Sequence, residues 1–516
     1  MEPLESKVTQ NLLRLLCSVD DHSVALGLEI HYNNPTSESV ALLVAYQHLY
    51  KVFFEEDIDR LQVTHLNKLN AASLILSSKR LEALPPEINL LPQLKTLSLW
   101  DNELTELPPE IGQLTNLEQL DLSYNELKVL PVEIGQLQRL KKLDLSYNQL
   151  IDLPSEIGQL NELKELDLFN NEFETLPNEI NQLGHLQMLR LYNNNLTELP
   201  LGITQLTQLL GLYLSYNQLK VLPSEISQFA QLQQLDLSYN ELTTLPSEIG
   251  QLTQLIELNL RENKLITLSA AIGQINDLVV LNLDGNALKV LPSAVGQLAC
   301  LQELDLSRNQ LTTLPAAIGQ LAQLSLLKLL DNQLIVLLPE IGQLIHLQEL
   351  DLSYNQLITL PAAIGQLTEL SILRLSNNQL TALPVEIGQL TGLSALELSS
   401  NQLTSLPTSI GQLTKLSSLD LSGNQLTTLP TSIGQLNELS SLDLSGNQLA
   451  TLPTSIGQFT KLLSLDLSGN ELTTLPVEIS QLTQLRELNL SDNRLHRKQR
   501  LQVKLLWLPH CKIKWE

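Results

Sequence analysis

The sequence predicts an α/β solenoid, a fold in which short repeats stack and each repeat adds one strand to a parallel β-sheet. Two observations predict it. An asparagine recurs every 23 residues from Asn102 to Asn493, so that eighteen asparagines keep one register. Leucines stand at the same places before each of them, in the pattern LxxLxLxxN. Apolar positions that repeat with a fixed period are buried most simply by stacking identical turns.

This motif and period are the signature of a leucine-rich repeat. In one turn, Leu97 and Leu99 alternate with polar residues, as expected of a short strand with one buried face. Asn102 carries amide donors and an acceptor for the backbone groups that follow the strand. Pro108 and Gly112 favour a short return segment. We therefore expect a right-handed horseshoe with a concave parallel β-sheet and short helical or 3-10 turns on its convex side.

The two ends of the chain depart from the repeat and predict caps. Residues 71–493 form the predicted solenoid, of one atypical and eighteen regular turns, with Lys79 in place of the first asparagine. Residues 1–70 contain apolar positions at helical spacing near 12–16, 40–50 and 58–69, which predicts a helical N-terminal cap. Residues 494–516 predict a C-terminal cap with a helix over 497–508 and one last strand. Caps are expected because the ends of a stack expose leucine and strand edges.

Composition limits the classes of partner and the compartment. The net charge of −25 disfavours binding to nucleic acid and favours a protein partner that is basic or of mixed charge. The three cysteines are scattered and offer no disulfide-bonded cap. Neither a signal peptide nor a membrane-length apolar stretch is evident. We expect a cytoplasmic, monomeric protein that does not bind membranes.

The repeat resembles a known group of proteins. The segment LDLSYNELKVLPVEIGQLQR, at residues 120–139, is similar to the LPxxIGQL-type 23-residue repeats of bacterial leucine-rich repeat proteins. It is also similar to the repeats of Ras-suppressor proteins, plant intracellular Ras-group proteins and Roco proteins. The ending LLWLPHCKIKWE resembles the last cap of many of the bacterial chains. The resemblance spans about residues 74–516 and implies protein–protein binding without naming a partner.

No catalytic motif is evident in the chain. The patterns GxxxxGK[ST], HExxH, CxxC and GxSxG do not occur, so we expect no enzyme, cofactor or resident metal. The leading hypothesis is a non-catalytic scaffold for protein–protein interaction and signalling. One alternative is a regulator or effector of a small GTPase, or the substrate receptor of a ubiquitin-ligase-like system. A second alternative is a structural protein that assembles head to tail.

The candidate binding surface is the concave face of the first seven regular turns, extended by Arg261 in the turn that follows. We number positions back from each repeat asparagine, and expect n−1, n−2, n−4 and n−6 to be the outward-facing positions of each strand. Aromatic residues collect there, as they do at protein interfaces. An aromatic row that merely stiffens the sheet is the alternative. The predicted partner-binding residues are Trp100, Tyr124, Tyr147, Phe169, Arg190, Tyr192, Tyr213, Tyr216, Tyr239 and Arg261.

Aspartates recur at position n−4, and the turns near the C-terminus are nearly identical. Neighbouring carboxylates at strand spacing repel one another, which a basic partner or a cation would relieve. Whether this row binds cations stays open, since a flat row lacks the six to eight oxygens that calcium takes. The turns after residue 416 present serine, aspartate and glycine, and we interpret them as a spacer. The aspartates are Asp121, Asp144, Asp167, Asp236, Asp305, Asp351, Asp420, Asp443 and Asp466.

Overall fold

The structure, a computed structural model, describes residues 4–508 and 510–515. Residues 1–3 of the predicted N-terminal cap, and residues 509 and 516 of the predicted C-terminal cap, lie outside the described residues. The chain divides into two compact units, Met1–Glu241 and Leu242–Glu516. Each unit contains a stack of leucine-rich repeats.

In the described part of the first unit, from residue 4 onward, four helices precede the repeats. They are α1 (Leu4–Leu16), α2 (Asp21–Asn33), α3 (Ser37–Phe54) and α4 (Val63–Leu69). The predicted helical N-terminal cap is therefore present, but the sequence analysis did not include α2. The inward face of α2 includes Gly27 and His31 beside Val24 and Leu28, so its apolar period is weak. Gly27 is needed there because a Cβ atom would lie 3.0 Å from Cδ2 of Leu16 on α1.

Eight three-residue strands follow in the first unit, and each pairs in parallel with the strand one repeat away. The central residue of each strand is a buried leucine, while the flanking residues lie on the opposite face. The strands are β1 (Ser73–Ile75), β2 (Thr96–Ser98), β3 (Gln119–Asp121), β4 (Lys142–Asp144), β5 (Glu165–Asp167), β6 (Met188–Arg190), β7 (Gly211–Tyr213) and β8 (Gln234–Asp236).

Twelve strands with the same parallel register occur in the second unit, among residues 242–508 and 510–515. They are β9 (Glu257–Asn259), β10 (Val280–Asn282), β11 (Glu303–Asp305), β12 (Leu326–Lys328), β13 (Glu349–Asp351), β14 (Ile372–Arg374), β15 (Ala395–Glu397), β16 (Ser418–Asp420), β17 (Ser441–Asp443), β18 (Ser464–Asp466), β19 (Glu487–Asn489) and β20 (Lys512–Lys514). Before β20 the chain forms α5 (Arg497–Gln502) and a π-helical turn, Val503–Trp507.

The repeat asparagine is buried and connects neighbouring turns. Nδ2 of Asn125 donates to the carbonyl of Leu122 in its own turn and to that of Leu99 in the preceding turn, both at 3.0 Å. Its Oδ1 accepts from the backbone N–H of Leu104, also in the preceding turn, at 3.1 Å. These bonds satisfy backbone groups that would otherwise be buried without partners. The same side chain therefore completes two turns, which explains why this residue type does not vary.

Each repeat returns through a five-residue 3-10 turn, as the sequence predicted. Proline precedes most of these turns in an extended conformation, with φ near −68° at Pro131. A glycine in the turn permits close stacking, because a Cβ atom on Gly250 would lie 2.4 Å from the carbonyl oxygen of Ala271. The turns of the first unit are Pro86–Leu90, Pro109–Gln113, Val132–Gln136, Ser155–Gln159, Asn178–Gln182, Leu201–Gln205 and Ser224–Gln228. Those of the second are Ser247–Gln251, Ala270–Gln274, Ser293–Gln297, Ala316–Gln320, Pro339–Gln343, Ala362–Gln366, Val385–Gln389, Thr408–Gln412, Thr431–Gln435, Thr454–Gln458 and Val477–Gln481.

Candidate functional site

The predicted aromatic residues, with the exception of Tyr213, lie just beyond the ends of the strands. Each strand ends at position n−4, so the expectation that n−1 and n−2 belong to the strand is wrong. The chain turns there because position n−1 adopts a left-handed conformation, with φ of 55° at Tyr124 and 52° at Tyr147. Of the predicted aromatic residues, Tyr213 alone is part of a strand, at the end of β7.

Five of these rings contact one another in sequence, and we call Trp100, Tyr124, Tyr147, Phe169 and Tyr192 the aromatic ladder. Two contacts are stacked, with ring centroids 4.0 Å apart for Tyr124 and Tyr147 and 4.2 Å apart for Phe169 and Tyr192. The other two are edge-to-face, at 6.0 Å and 5.1 Å. Successive turns place the rings one strand spacing apart, about 4.8 Å, which suits ring contact.

None of the predicted aromatic residues is buried. Trp100 is 40% exposed, Tyr124 is 44% exposed and Tyr216 is 53% exposed, and the others are half-buried. Tyr216 also stacks on Tyr239, with ring centroids 4.2 Å apart. Burial, together with the charge of Asp167, raises the pKa of Tyr192 to about 12. The hydroxyl of Tyr192 is therefore protonated at neutral pH and can donate a hydrogen bond.

A row of three carboxylates lies beside the aromatic ladder, and we call Asp121, Asp144 and Asp167 the acidic row. They occupy position n−4 on the adjacent strands β3, β4 and β5. Oδ1 of Asp144 accepts hydrogen bonds from the N–H and hydroxyl of Ser146, at 3.0 and 2.6 Å. Burial raises the pKa of Asp144, and the like charges of Asp167 and Asp121 raise it further, against the lowering effect of those hydrogen bonds.

The two predicted basic residues already hold ion pairs within their own units. Nη1 of Arg190 lies 2.9 Å from Oδ1 of the buried Asp167, so it ends the acidic row. Its guanidinium carbon also lies 5.7 Å from the centre of the Tyr213 ring. Arg261 belongs to the second unit, where its Nε lies 3.3 Å from Oδ2 of Asp284. Sequence reasoning missed these pairings because it treated each charge as facing solvent alone.

The structure also places one apolar residue beside the predicted set. Met188, at the start of β6, lies over the backbone of Gly211 on β7. A Cβ atom on Gly211 would lie 2.7 Å from Cε of Met188 and 3.0 Å from Cε2 of Tyr213. The signal in the sequence was weak, because one methionine at an outward position is ordinary. Met188 and Tyr213 both lie close to Gly211, so the apolar surface extends toward β7.

A second row of three aspartates occurs in the second unit without aromatic neighbours of this kind. Asp420, Asp443 and Asp466 end strands β16, β17 and β18. Burial and the neighbouring carboxylates raise the pKa of Asp443, as they do for Asp144. Glycine occupies position n−1 there, with φ of 64° at Gly423 and Gly446. Among the described residues, no group of three or more His, Cys, Asp or Glu side chains is arranged to hold a metal ion.

A family model described as leucine rich repeat matches residues 70–127, 92–150, 235–288, 276–334, 391–449 and 450–495. Two related models, a leucine-rich repeat region and a two-copy leucine-rich repeat, match residues 155–235 and 345–387. These matches cover more than half of the chain, and the chain belongs to the leucine-rich repeat family. No curated protein sequence matches it.

Solved structures agree with this assignment. A leucine-rich repeat protein of Leptospira interrogans is 39% identical, with a TM-score of 0.59 over 87% of this chain and 97% of that chain. YopM from Yersinia enterocolitica is 27% identical, with a TM-score of 0.62 over 88% and 96%. The plant peptide hormone receptor RGFR1, solved in complex with RGF2, is 28% identical, with a TM-score of 0.56 over 83% and 87%. Among the helices that the structure describes, none has the length and apolar character needed to cross a bilayer.

Proposed function

We propose that the chain is a non-catalytic, monomeric scaffold of the cytoplasm that binds a partner protein through the aromatic surface of its first unit. The observation that carries the proposal is the aromatic ladder, five contacting rings of which none is buried. Tyr213, Tyr216, Tyr239 and Arg190 extend this surface, and Arg261 is a candidate contact in the second unit. The acidic row favours a partner that is basic or of mixed charge.

Ring packing supports this use of the surface. Rings that are already held by their neighbours lose little conformational entropy when a partner covers them. One turn offers about 80 Å² of outward surface, from a strand spacing of about 4.8 Å and a width of about 17 Å. Seven turns offer roughly 560 Å², and a standard interface covers about 800 Å² on each partner. The aromatic surface is therefore large enough to form most of one interface.

Two solved relatives support binding of a polypeptide by this fold. RGFR1 is described as a peptide hormone receptor in complex with RGF2. The Arabidopsis receptor kinase HAESA, 29% identical to this chain with a TM-score of 0.54, is described in complex with the peptide hormone IDA and a co-receptor. We propose the same general class of ligand, a protein or peptide, for this chain.

Exchange of tyrosine for asparagine tests the proposal without disturbing the turn. Asn170 and Asn193 occupy position n−1 natively at φ of 58° and 56°, so Tyr124→Asn and Tyr147→Asn fit the same backbone. We expect the double variant to capture at least tenfold less partner protein than the unaltered chain from a lysate of the source cells. Tyr354→Asn, at an exposed n−1 position of the second unit, is the control and should retain capture. Full capture by the double variant would refute the proposed surface.

The same variants separate binding from stiffening of the sheet. If the rings serve to stiffen the turns, the double variant should melt at a lower temperature and still capture the partner. If they bind, capture should fall at temperatures where circular dichroism shows the variant folded.

Addition of the purified chain to a small GTPase, with nucleotide turnover as the readout, tests the regulator alternative. A captured ubiquitin-ligase subunit would favour the substrate-receptor alternative.

A further inference from the structure

We propose that the aromatic ladder and the acidic row bind an amphipathic α-helix of the partner, whose apolar side chains cover the rings and whose lysine or arginine side chains pair with Asp121 and Asp144. This inference rests on the proposed function and names the chemistry of its partner. Two parallel rows of different character, one aromatic and one acidic, follow the same succession of strands.

Ring orientation assigns the basic side chains to the acidic row. Tyr124 and Tyr147 stack face to face, as do Phe169 and Tyr192, so those faces are occupied and ring edges are left for a partner. Ring edges carry partial positive charge and attract a cation poorly. Apolar side chains can pack against such edges without this penalty. The aromatic ladder therefore suits the apolar stripe of the partner.

Charge balance selects Asp121 and Asp144 as the residues that receive a cation. Asp167 already pairs with Arg190, at 2.9 Å. Among the described residues, no ion pair involves Asp121 or Asp144, which accept hydrogen bonds from serines instead. Both line a depression of about 240 Å³ on the strand face, together with Ser98, Gln119 and Lys142. The ammonium group of Lys142 lies 3.3 Å from Oε2 of Glu165, so this cation is already paired with another carboxylate. A lysine or arginine from a partner would complete the charge balance there.

Spacing favours a helix over an extended strand. Neighbouring strands, and with them the successive rings and carboxylates, lie about 4.8 Å apart. Side chains on one face of a helix that runs across the strands recur about every 5.4 Å. Over three intervals they therefore move out of register with the strands by about 1.8 Å. Side chains on one face of an extended strand recur about every 6.8 Å, so over three intervals they move out of register by about 6 Å. A polyproline helix repeats about every 9.3 Å and could reach alternate strands, but would leave one of the two adjacent carboxylates without a partner.

The test uses a synthetic 18-residue leucine/lysine amphipathic peptide and the full-length chain, with binding followed by fluorescence anisotropy at physiological salt. Asp121→Asn with Asp144→Asn should weaken binding at least fivefold. Asparagine fits position n−4, since Asn259 and Asn282 natively accept the same backbone hydrogen bond there. The double variant is therefore expected to remain folded.

The second row of aspartates supplies a matched control. Asp420→Asn with Asp443→Asn removes the same charge from adjacent turns that have glycine at position n−1. This variant should bind the peptide within twofold of the unaltered chain. Equal weakening by both double variants would show attraction to net charge alone and would overturn the proposal.

Peptide variants test the helix and the sign of the charge. Two central prolines, which prevent a helix without changing the charge, should abolish binding, and retained affinity would overturn the helical part of the proposal. A leucine/glutamate peptide should not bind, and binding of it would overturn the charge assignment.

The native partner separates this inference from the proposed function. If Tyr124→Asn with Tyr147→Asn abolishes capture while Asp121→Asn with Asp144→Asn leaves it intact, the aromatic surface binds a partner of other chemistry and this inference fails alone. If the aromatic variant also leaves capture intact, the proposed function fails too.

Discussion

Two groups of turns, those of β3–β5 and those of β16–β18, share a backbone and differ in what they present. Both place three aspartates on adjacent strands. Serine follows two residues later in every case except Asp167, where Phe169 takes that position. Both hold the repeat asparagine with the same hydrogen bonds. They differ at position n−1, which is tyrosine in Tyr124 and Tyr147 and glycine in Gly423 and Gly446. The proposed recognition therefore depends on one or two variable positions, while the remaining residues maintain the stack.

The largest expected effect tests the part that the two groups share. Asn148→Ala and Asn447→Ala each remove a buried amide that donates to two carbonyls and accepts from one backbone N–H. Each should lower the free energy of unfolding by about 3 kcal/mol, because three buried backbone groups lose a partner. Urea denaturation followed by circular dichroism measures the loss. A cost that differs strongly between the two sites would contradict the equivalence of the two backbones.

A smaller effect is expected when tyrosine is moved from one group to the other. Gly423→Tyr with Gly446→Tyr places adjacent rings beside Asp420 and Asp443. The left-handed backbone costs about 1 kcal/mol at each site, and ring stacking offsets about 1 kcal/mol. Space is available, since a Cβ atom on Gly423 would lie 3.4 Å from its nearest neighbour atom. The melting temperature should therefore fall by only a few degrees.

The transferred rings should also confer a new property. If adjacent rings beside adjacent carboxylates are enough to bind the leucine/lysine peptide, the Gly423→Tyr with Gly446→Tyr variant should bind a second copy of it. Isothermal titration calorimetry would report a stoichiometry that rises from one to two. A stoichiometry of one, on a folded variant, would show that the local pairing of these rows is insufficient.

The smallest effect concerns the middle carboxylates, Asp144 and Asp443. Their pKa values are raised in the folded state by burial and by like charges. A raised pKa means that the folded state holds the proton more tightly, so each carboxyl loses stabilising influence as pH rises above the usual aspartate range. Asp144→Asn and Asp443→Asn should each raise the melting temperature slightly at pH 7. The gain should disappear near pH 3, where both forms of the site are neutral, and thermal scans at the two pH values measure it.

Most of the fold could be predicted from the sequence because the same repeat pattern occurs eighteen times. Leucine alternation gave the buried face, and the asparagine gave the hydrogen-bonding partner between turns. Substitutions in the motif were absorbed locally. Ser269 replaces the usual proline and accepts from the N–H of Ala271 with its own hydroxyl, at 3.4 Å. Pro339 is displaced by one residue and begins its 3-10 turn instead of preceding it.

Less of the candidate site could be predicted. Outward-facing aromatic residues followed from their distance to the asparagine, but their position beyond the strand did not. A tyrosine at positive φ is uncommon, and no single-residue preference indicates it. The ion pair of Arg190 with Asp167 also depends on which residues share position n−4 on adjacent strands. Helix α2 was missed because glycine and histidine interrupt its apolar face.

Each repeat asparagine forms hydrogen bonds with the preceding turn, and this determines by how many residues the chain can be lengthened or shortened. Asn125 accepts from Leu104 of the turn before it, so every turn relies on its successor for completion. Insertion or removal of a whole 23-residue cassette preserves this dependence at both junctions. A gain or loss of any other size shifts the asparagine away from the backbone it serves. Natural length variation among such chains should therefore proceed by duplication and loss of complete repeats, which carries surface rows along as intact blocks.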